Sequence, residues 1–136
     1  MNCDSALFQG KIRGVAAVFH ENERPLHGLA GWLDWRFHSG LSRFLAAGQL
    51  AGKPGECAYL PFERHGTTYH VLLIGAGKTE VAGRRNPVPP ESILALRKNL
   101  ASLRLGPVGI SQTDFGNVPE KNLLQLFKGT EVWIGE

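Results

Sequence analysis

Two cysteines, two tyrosines and one methionine in 136 residues exclude several kinds of chemistry at once. Two thiols do not make the disulfide framework of a small secreted domain. Cys3 falls at the N-terminus, where a mobile end is expected. Cys57 falls in an apolar strand pattern, where a thiol behaves as a small buried hydrophobe. Long hydrophobic runs are missing as well: the near-continuous ones cover only residues 15–19 and 71–74, against the roughly 20 residues a membrane-crossing helix needs. The opening Met1-Asn2-Cys3-Asp4-Ser5 has neither a basic nor an apolar segment, so no secretory leader and a cytoplasmic location are expected. Charge of one sign is also scarce, with 15 Lys and Arg against 12 Asp and Glu and a net charge of +3. Basic residues concentrate only at Lys78 with Arg84-Arg85 and at Arg97-Lys98 with Arg104. A nucleic-acid binder shows a denser stripe with interleaved aromatics. Neither a nucleic-acid nor a membrane partner is expected.

What is present suits a folded domain. Hydrophobic residues make up 43% and charged residues 20%, which excludes a disordered chain and places one domain over residues 1–136. Residues 12–20 read as a strand whose Val15-Ala16-Ala17-Val18-Phe19 core is apolar on both faces, the mark of a central strand covered on both sides. Leu7 and Phe8 are expected in a preceding edge strand. Pro25 suits a first helical position. From there Leu26, Leu29, Ala30, Leu33, Phe37, Leu41, Phe44 and Leu45 follow steps of three and four along one helical stripe. Ser39-Gly40 interrupts it and predicts a kink or two helices.

Strands are predicted over 56–61 and 69–74, joined as a hairpin through 63–67. An irregular, Pro-rich stretch follows over 78–90. A helix then starts near Pro90 and turns Ile93, Leu96, Leu100 and Leu103 inward. Residues 108–110 form a short strand. A helix over 117–128 buries Leu123, Leu124 and Phe127 and ends at Gly129, and a last strand covers 131–134. This alternation predicts an α/β fold, a three-layer αβα arrangement with a mixed, mostly parallel sheet.

Chemistry-bearing residues are thinly spread. Leu73-Ile74-Gly75-Ala76-Gly77-Lys78-Thr79 ends like a phosphate-binding loop, but Leu72 stands where that pattern needs its first glycine. Gly83, Pro87, Pro89 and Pro90 also deny the helix that must follow. The five histidines, His20, His27, His38, His65 and His70, show no helical metal-ligand spacing. His65 and His70 straddle the hairpin, where a surface pair is the ordinary reading. His20 and His27 flank the first strand-to-helix loop, where open α/β sheets take their ligands. No nucleophile elbow occurs. Asp34, between Trp32 and Trp35, has its ordinary explanation in an ion pair with Arg36 or in a helix cap. No catalytic residue, metal ligand or cofactor is assigned.

The run Arg24-Pro25-Leu26-His27-Gly28-Leu29-Ala30-Gly31-Trp32-Leu33-Asp34-Trp35-Arg36, followed by Gly40-Leu41-Ser42-Arg43-Phe44-Leu45, resembles the N-terminal domain of leucine aminopeptidases. Val71-Leu72-Leu73-Ile74-Gly75-Ala76-Gly77 is similar to that family's apolar strand ending in Gly-x-Gly. The likeness spans about residues 12–134 and implies a macrodomain-like fold. In that family the metals sit in a separate C-terminal domain, whose Asn-Thr-Asp-Ala-Glu-Gly-Arg stretch has no counterpart here. The resemblance therefore implies a non-catalytic module for protein contact or self-association, linked to a cytosolic aminopeptidase, with Trp32, Trp35 and Trp133 as interface candidates. Its macrodomain side implies an alternative, a small-ligand module for ADP-ribose or a nucleotide, and the family itself a weaker one, part of a metal-dependent leucyl aminopeptidase. His20, His27, Gly28, Gly31, Gly75, Gly77 and Lys78 are the ligand-binding candidates of the small-ligand module. The Asn-Ala-Ala-Asn run of that fold is absent, and Glu21 and Glu23 place negative charge beside the expected diphosphate path.

Overall fold

A computed structural model describes residues 1–48, 50–79 and 87–136. The predicted irregular stretch over 78–90 falls partly outside them, together with Gly83 and the Arg84-Arg85 pair. The chain runs α1 (Cys3–Phe8), β1 (Gly14–Phe19), α2 (Gly28–Arg36), α3 (Gly40–Ala46), β2 (Cys57–Arg64), β3 (Thr67–Gly75), α4 (Pro90–Leu103), β4 (Val108–Ser111), α5 (Glu120–Leu126) and β5 (Val132–Gly135). A 3-10 turn at Thr113–Phe115 follows β4.

Among the described residues five strands form one sheet in the order β2-β3-β1-β4-β5. β1 pairs in parallel with β3 and with β4, β4 pairs in parallel with β5, and β2 runs antiparallel to β3. Every residue of β1 is buried, as its two-sided apolar run predicts. Its side chains alternate between layers: Val15, Ala17 and Phe19 pack with α1, α2 and α3, whereas Ala16 and Val18 join the core beneath α4 and α5. The sheet thus lies between two helical layers, a three-layer αβα fold.

The long amphipathic stripe breaks where Ser39-Gly40 predicts, into α2 and α3. Ser39 takes a left-handed conformation at the junction. Asp34 caps α3, accepting the Ser42 N–H at 2.9 Å and the Ser42 hydroxyl. Arg36 turns the other way and pairs with the buried Asp4 of α1 at 3.2 Å.

Several expectations are corrected. Leu7 and Phe8 belong to a helix, because α1 lays Cys3, Ala6 and Leu7 against the sheet. Cys3 is therefore buried, and burial, then the nearby Asp114 charge, pushes its thiol up to about 12. Cys57 is only half-buried; desolvation still raises its thiol to about 11. α2 begins at Gly28 instead of Pro25, since His27, its N-cap residue, is still extended; the Arg24–Pro25 bond in the preceding loop is cis. The hairpin strands extend to Arg64 and Thr67, leaving His65-Gly66 as a two-residue turn with both residues at positive φ. His70 meets the Tyr59 hydroxyl across the hairpin instead of His65. α5 is shorter than predicted, and Leu124 stays exposed while Leu123 and Phe127 are buried.

Candidate functional site

The strand order reverses at β1. After β1 the chain crosses to one side to lay down β2 and β3, then to the other for β4 and β5. In open α/β sheets, the crevice beyond the carboxyl ends of the strands at such a point is where ligands bind. Four segments meet there: the loop 20–27 after β1, the turn 75–79 after β3, the turn 112–117 after β4, and a strap, residues 50–56, that leads into β2.

β1 and β3 are tied together just past their ends. The Ala76 N–H donates to the Phe19 carbonyl at 3.0 Å, and the Glu21 N–H to the Gly77 carbonyl at 3.1 Å. His20 is fully buried and its Nδ1 donates to the same Gly77 carbonyl at 3.0 Å. That acceptor fixes the proton on Nδ1. Asn22 grips Thr79 twice, donating to its carbonyl at 3.0 Å and accepting its N–H at 2.9 Å.

The strap lies directly on this pair. The Gly77 N–H donates to the Gly52 carbonyl at 2.7 Å, and the Gly75 N–H to the Glu56 carbonyl at 2.8 Å. A side chain on Gly75 would meet the Lys53 carbonyl oxygen, with the Gly52 carbonyl carbon at 2.7 Å. Glycine at 75 is thus explained by backbone packing. Gly31 has a similar reason, because a Cβ there would lie 2.6 Å from the Leu26 carbonyl oxygen.

Between β1 and β4 a side chain replaces the ladder. Their pairing ends at Ala16 and Ile110. The Asp114 carboxylate, in a residue only 1% exposed, then accepts the Val18 N–H at 3.1 Å and the Leu29 N–H at 3.3 Å. Leu29 lies in the first turn of α2, whose own N-cap residue, His27, makes no side-chain cap bond. Asp114 therefore caps α2 from a distant turn, filling the place where a helix N-terminus would otherwise draw an anion.

The sequence-predicted ligand residues are brought to one end of the sheet but differ in availability. His27 and Lys78 are exposed on the rim and Gly28 is half-buried. His20, Gly75 and Gly77 are buried bracing groups, and Gly31 serves packing. Glu23 is also buried instead of facing the approach path. Sequence reasoning missed Asp114, Asn22 and the strap: Asp114 acts on Val18 and Leu29, 96 and 85 positions away, Asn22 on Thr79, 57 positions away, and the strap meets the rim through its backbone.

A cleft of about 170 Å³ opens on this end between β4, β5 and α2, lined by Asn2, Gly28, Leu29, Trp32, Ser111, Thr113 and Glu136. Trp32 and Trp35 project from α2, 56% and 71% exposed, with rings edge-on at 6.4 Å. Trp133 stands apart, half-buried against the core. Among the described residues no group of three or more His, Cys, Asp or Glu side chains is placed to hold a metal ion, and no helix is long and apolar enough to cross a membrane.

No family model and no curated protein matches the sequence. Solved structures do match. The macrodomain of Thermus aquaticus DarG superposes with a TM-score of 0.67 at 16% identity, covering 96% of this chain and 93% of that one. The macrodomain of Mycobacterium tuberculosis DarG gives a TM-score of 0.66 at 14% identity, with 90% and 88% covered. The fold is macrodomain-like. At these identities the match establishes the fold alone.

Proposed function

We propose that this chain is a macrodomain-type module that binds a small phosphate-bearing ligand, of the ADP-ribose or nucleotide class, across the C-terminal rim of its parallel strands. The observation that carries this reading is the convergence of the β1, β3 and β4 exits with the first turn of α2 at the switch point of a macrodomain-like sheet. His20, Asn22 and Gly77 hold the rim in shape. Exposed Lys78 and His27 supply the surface that meets the ligand, and Gly28 lets it approach the backbone. Isothermal calorimetry with ADP-ribose, and with ATP as comparator, tests the reading. Saturable heat at one site per chain is expected for at least one of them; no heat with either overturns it.

A second reading follows from the exposed Trp32–Trp35 pair and from the likeness to the aminopeptidase N-terminal domain: α2 is a face for protein contact. Two exposed indoles on one helix are costly to leave in water and suit an interface core. Sedimentation of the chain over a range of concentrations tests it. Self-association that a Trp32→Ala, Trp35→Ala double variant abolishes supports it, and a monomer throughout removes self-association through this face.

A further inference from the structure

At two places among the described residues of the rim, backbone N–H groups converge on one acceptor, and both acceptors are carboxylates of this chain. One is Asp114, sealed between β1, α2 and the turn after β4. The other is Glu56. A single oxygen of its carboxylate accepts three consecutive N–H groups, from Ala51 at 3.1 Å, Gly52 at 2.7 Å and Lys53 at 2.8 Å. Successive N–H groups aimed at one point form a concave anion seat. The seat is not isolated from the rim, because its middle residue, Gly52, accepts the Gly77 N–H and packs on the Glu21 backbone.

The two carboxylates differ in access. Reaching Asp114 means opening the core. Glu56 is half-buried, and two of its three donors, Ala51 and Lys53, belong to exposed residues. The Lys53 ammonium adds a positive charge on the same residue that donates one of the N–H groups.

We infer that the Ala51, Gly52 and Lys53 N–H groups form an oxyanion seat for a phosphate or diphosphate group, with Glu56 as a displaceable stand-in. The inference rests on the ligand class proposed above and assigns its phosphate a place. A phosphate oxygen offers these donors the same acceptor as a carboxylate oxygen, with more charge behind it. When it enters, the Glu56 side chain swings to solvent and Lys53 faces the ligand. Asp114 stays in place as a permanent part of the scaffold.

The test is a titration of the full chain with inorganic pyrophosphate, followed by the backbone amide resonances in the wild type and in Glu56→Gln. The largest shifts are expected at Ala51, Gly52 and Lys53, and the variant should bind about ten-fold more tightly because a competing like charge is gone. Shifts confined to other residues, or equal affinity in the two proteins, overturn the inference. If Glu56→Gln does not fold, the wild-type titration decides alone, by whether those three amides move at high pyrophosphate. ADP-ribose serves as the second arm. Heat with ADP-ribose but no response at residues 51–53 defeats the seat and keeps the proposed function; a pyrophosphate response at 51–53 without any ADP-ribose or ATP binding does the reverse.

Discussion

The two ends of the sheet differ in a way that volume alone would misjudge. At the N-terminal ends of the strands lie two hollows, one of about 400 Å³ walled by Leu100, Arg104, Leu105 and Thr130, and one of about 390 Å³ walled by Arg13, Thr67, Tyr69 and His70. At the C-terminal ends the cleft is only about 170 Å³. Yet that smaller end holds the organised polar contacts: a buried carboxylate on two N–H groups, a second carboxylate on three, a histidine and an asparagine that brace crossing loops. Space is what is left where loops happen not to pack. A site is marked instead by backbone donors that converge.

The sharpest way to break this contrast is to remove Asp114. Asp114→Ala leaves the Val18 and Leu29 N–H groups buried without that acceptor, and the expected loss is roughly 2–5 kcal/mol in urea unfolding. A loss below about 1 kcal/mol would show that the carboxylate does not organise the rim. Next comes Gly75→Ala. Its Cβ would press on the Gly52–Lys53 backbone, so about 1–3 kcal/mol is expected, with the strap amides shifting most in NMR spectra.

A smaller effect separates Glu56 from Asp114. Burial pulls the Glu56 carboxyl upward, but N–H bonds from Gly52, Lys53 and Ala51, with the Lys53 charge, outweigh it and hold the group below its ordinary 4.5. A carboxyl held down in the folded state stabilises above its unfolded pKa, and that stabilisation fades as pH falls through the folded value. Wild type should therefore lose stability relative to Glu56→Gln only below about pH 4.5. An unchanged difference between neutral pH and pH 3 would mean that the bonds do not form in solution.

The least perturbing change probes the other end. Burial first, then the Arg13 charge, holds the His70 imidazole below its usual 6.5. Arg13→Ala should raise the His70 titration midpoint, followed by NMR, while changing stability by no more than about 0.5 kcal/mol and leaving ADP-ribose affinity as it was.

Much of the architecture was legible in the residues. A run apolar at every position can only be a strand covered on both sides, and β1 is that strand. The Ser39-Gly40 break, the hairpin and the Pro90 start of α4 were equally readable, because each is set by local chemistry. α1 was not, since six residues give too little periodicity to tell a helix from a strand. The rim was only half legible. His20 and the Gly75–Gly77 turn stood out as types, but their roles depend on a strap that arrives from about 25 residues away. Asp114 carried no local signal whatever: it is an acid in a turn until β1 and α2 close on it. At Gly31 and Gly75 backbone also passes too close for a side chain, a constraint that the local sequence does not signal.

The central claim, that this fold uses the C-terminal rim to hold a phosphate-bearing ligand, is tested most directly by a titration with ADP-ribose read residue by residue from backbone amide shifts. The account predicts saturating shifts that cluster at residues 27–29, 51–53 and 75–79. Shifts gathered instead around Arg104 and Thr130, or around Arg13 and His70, would contradict it, as would none at all.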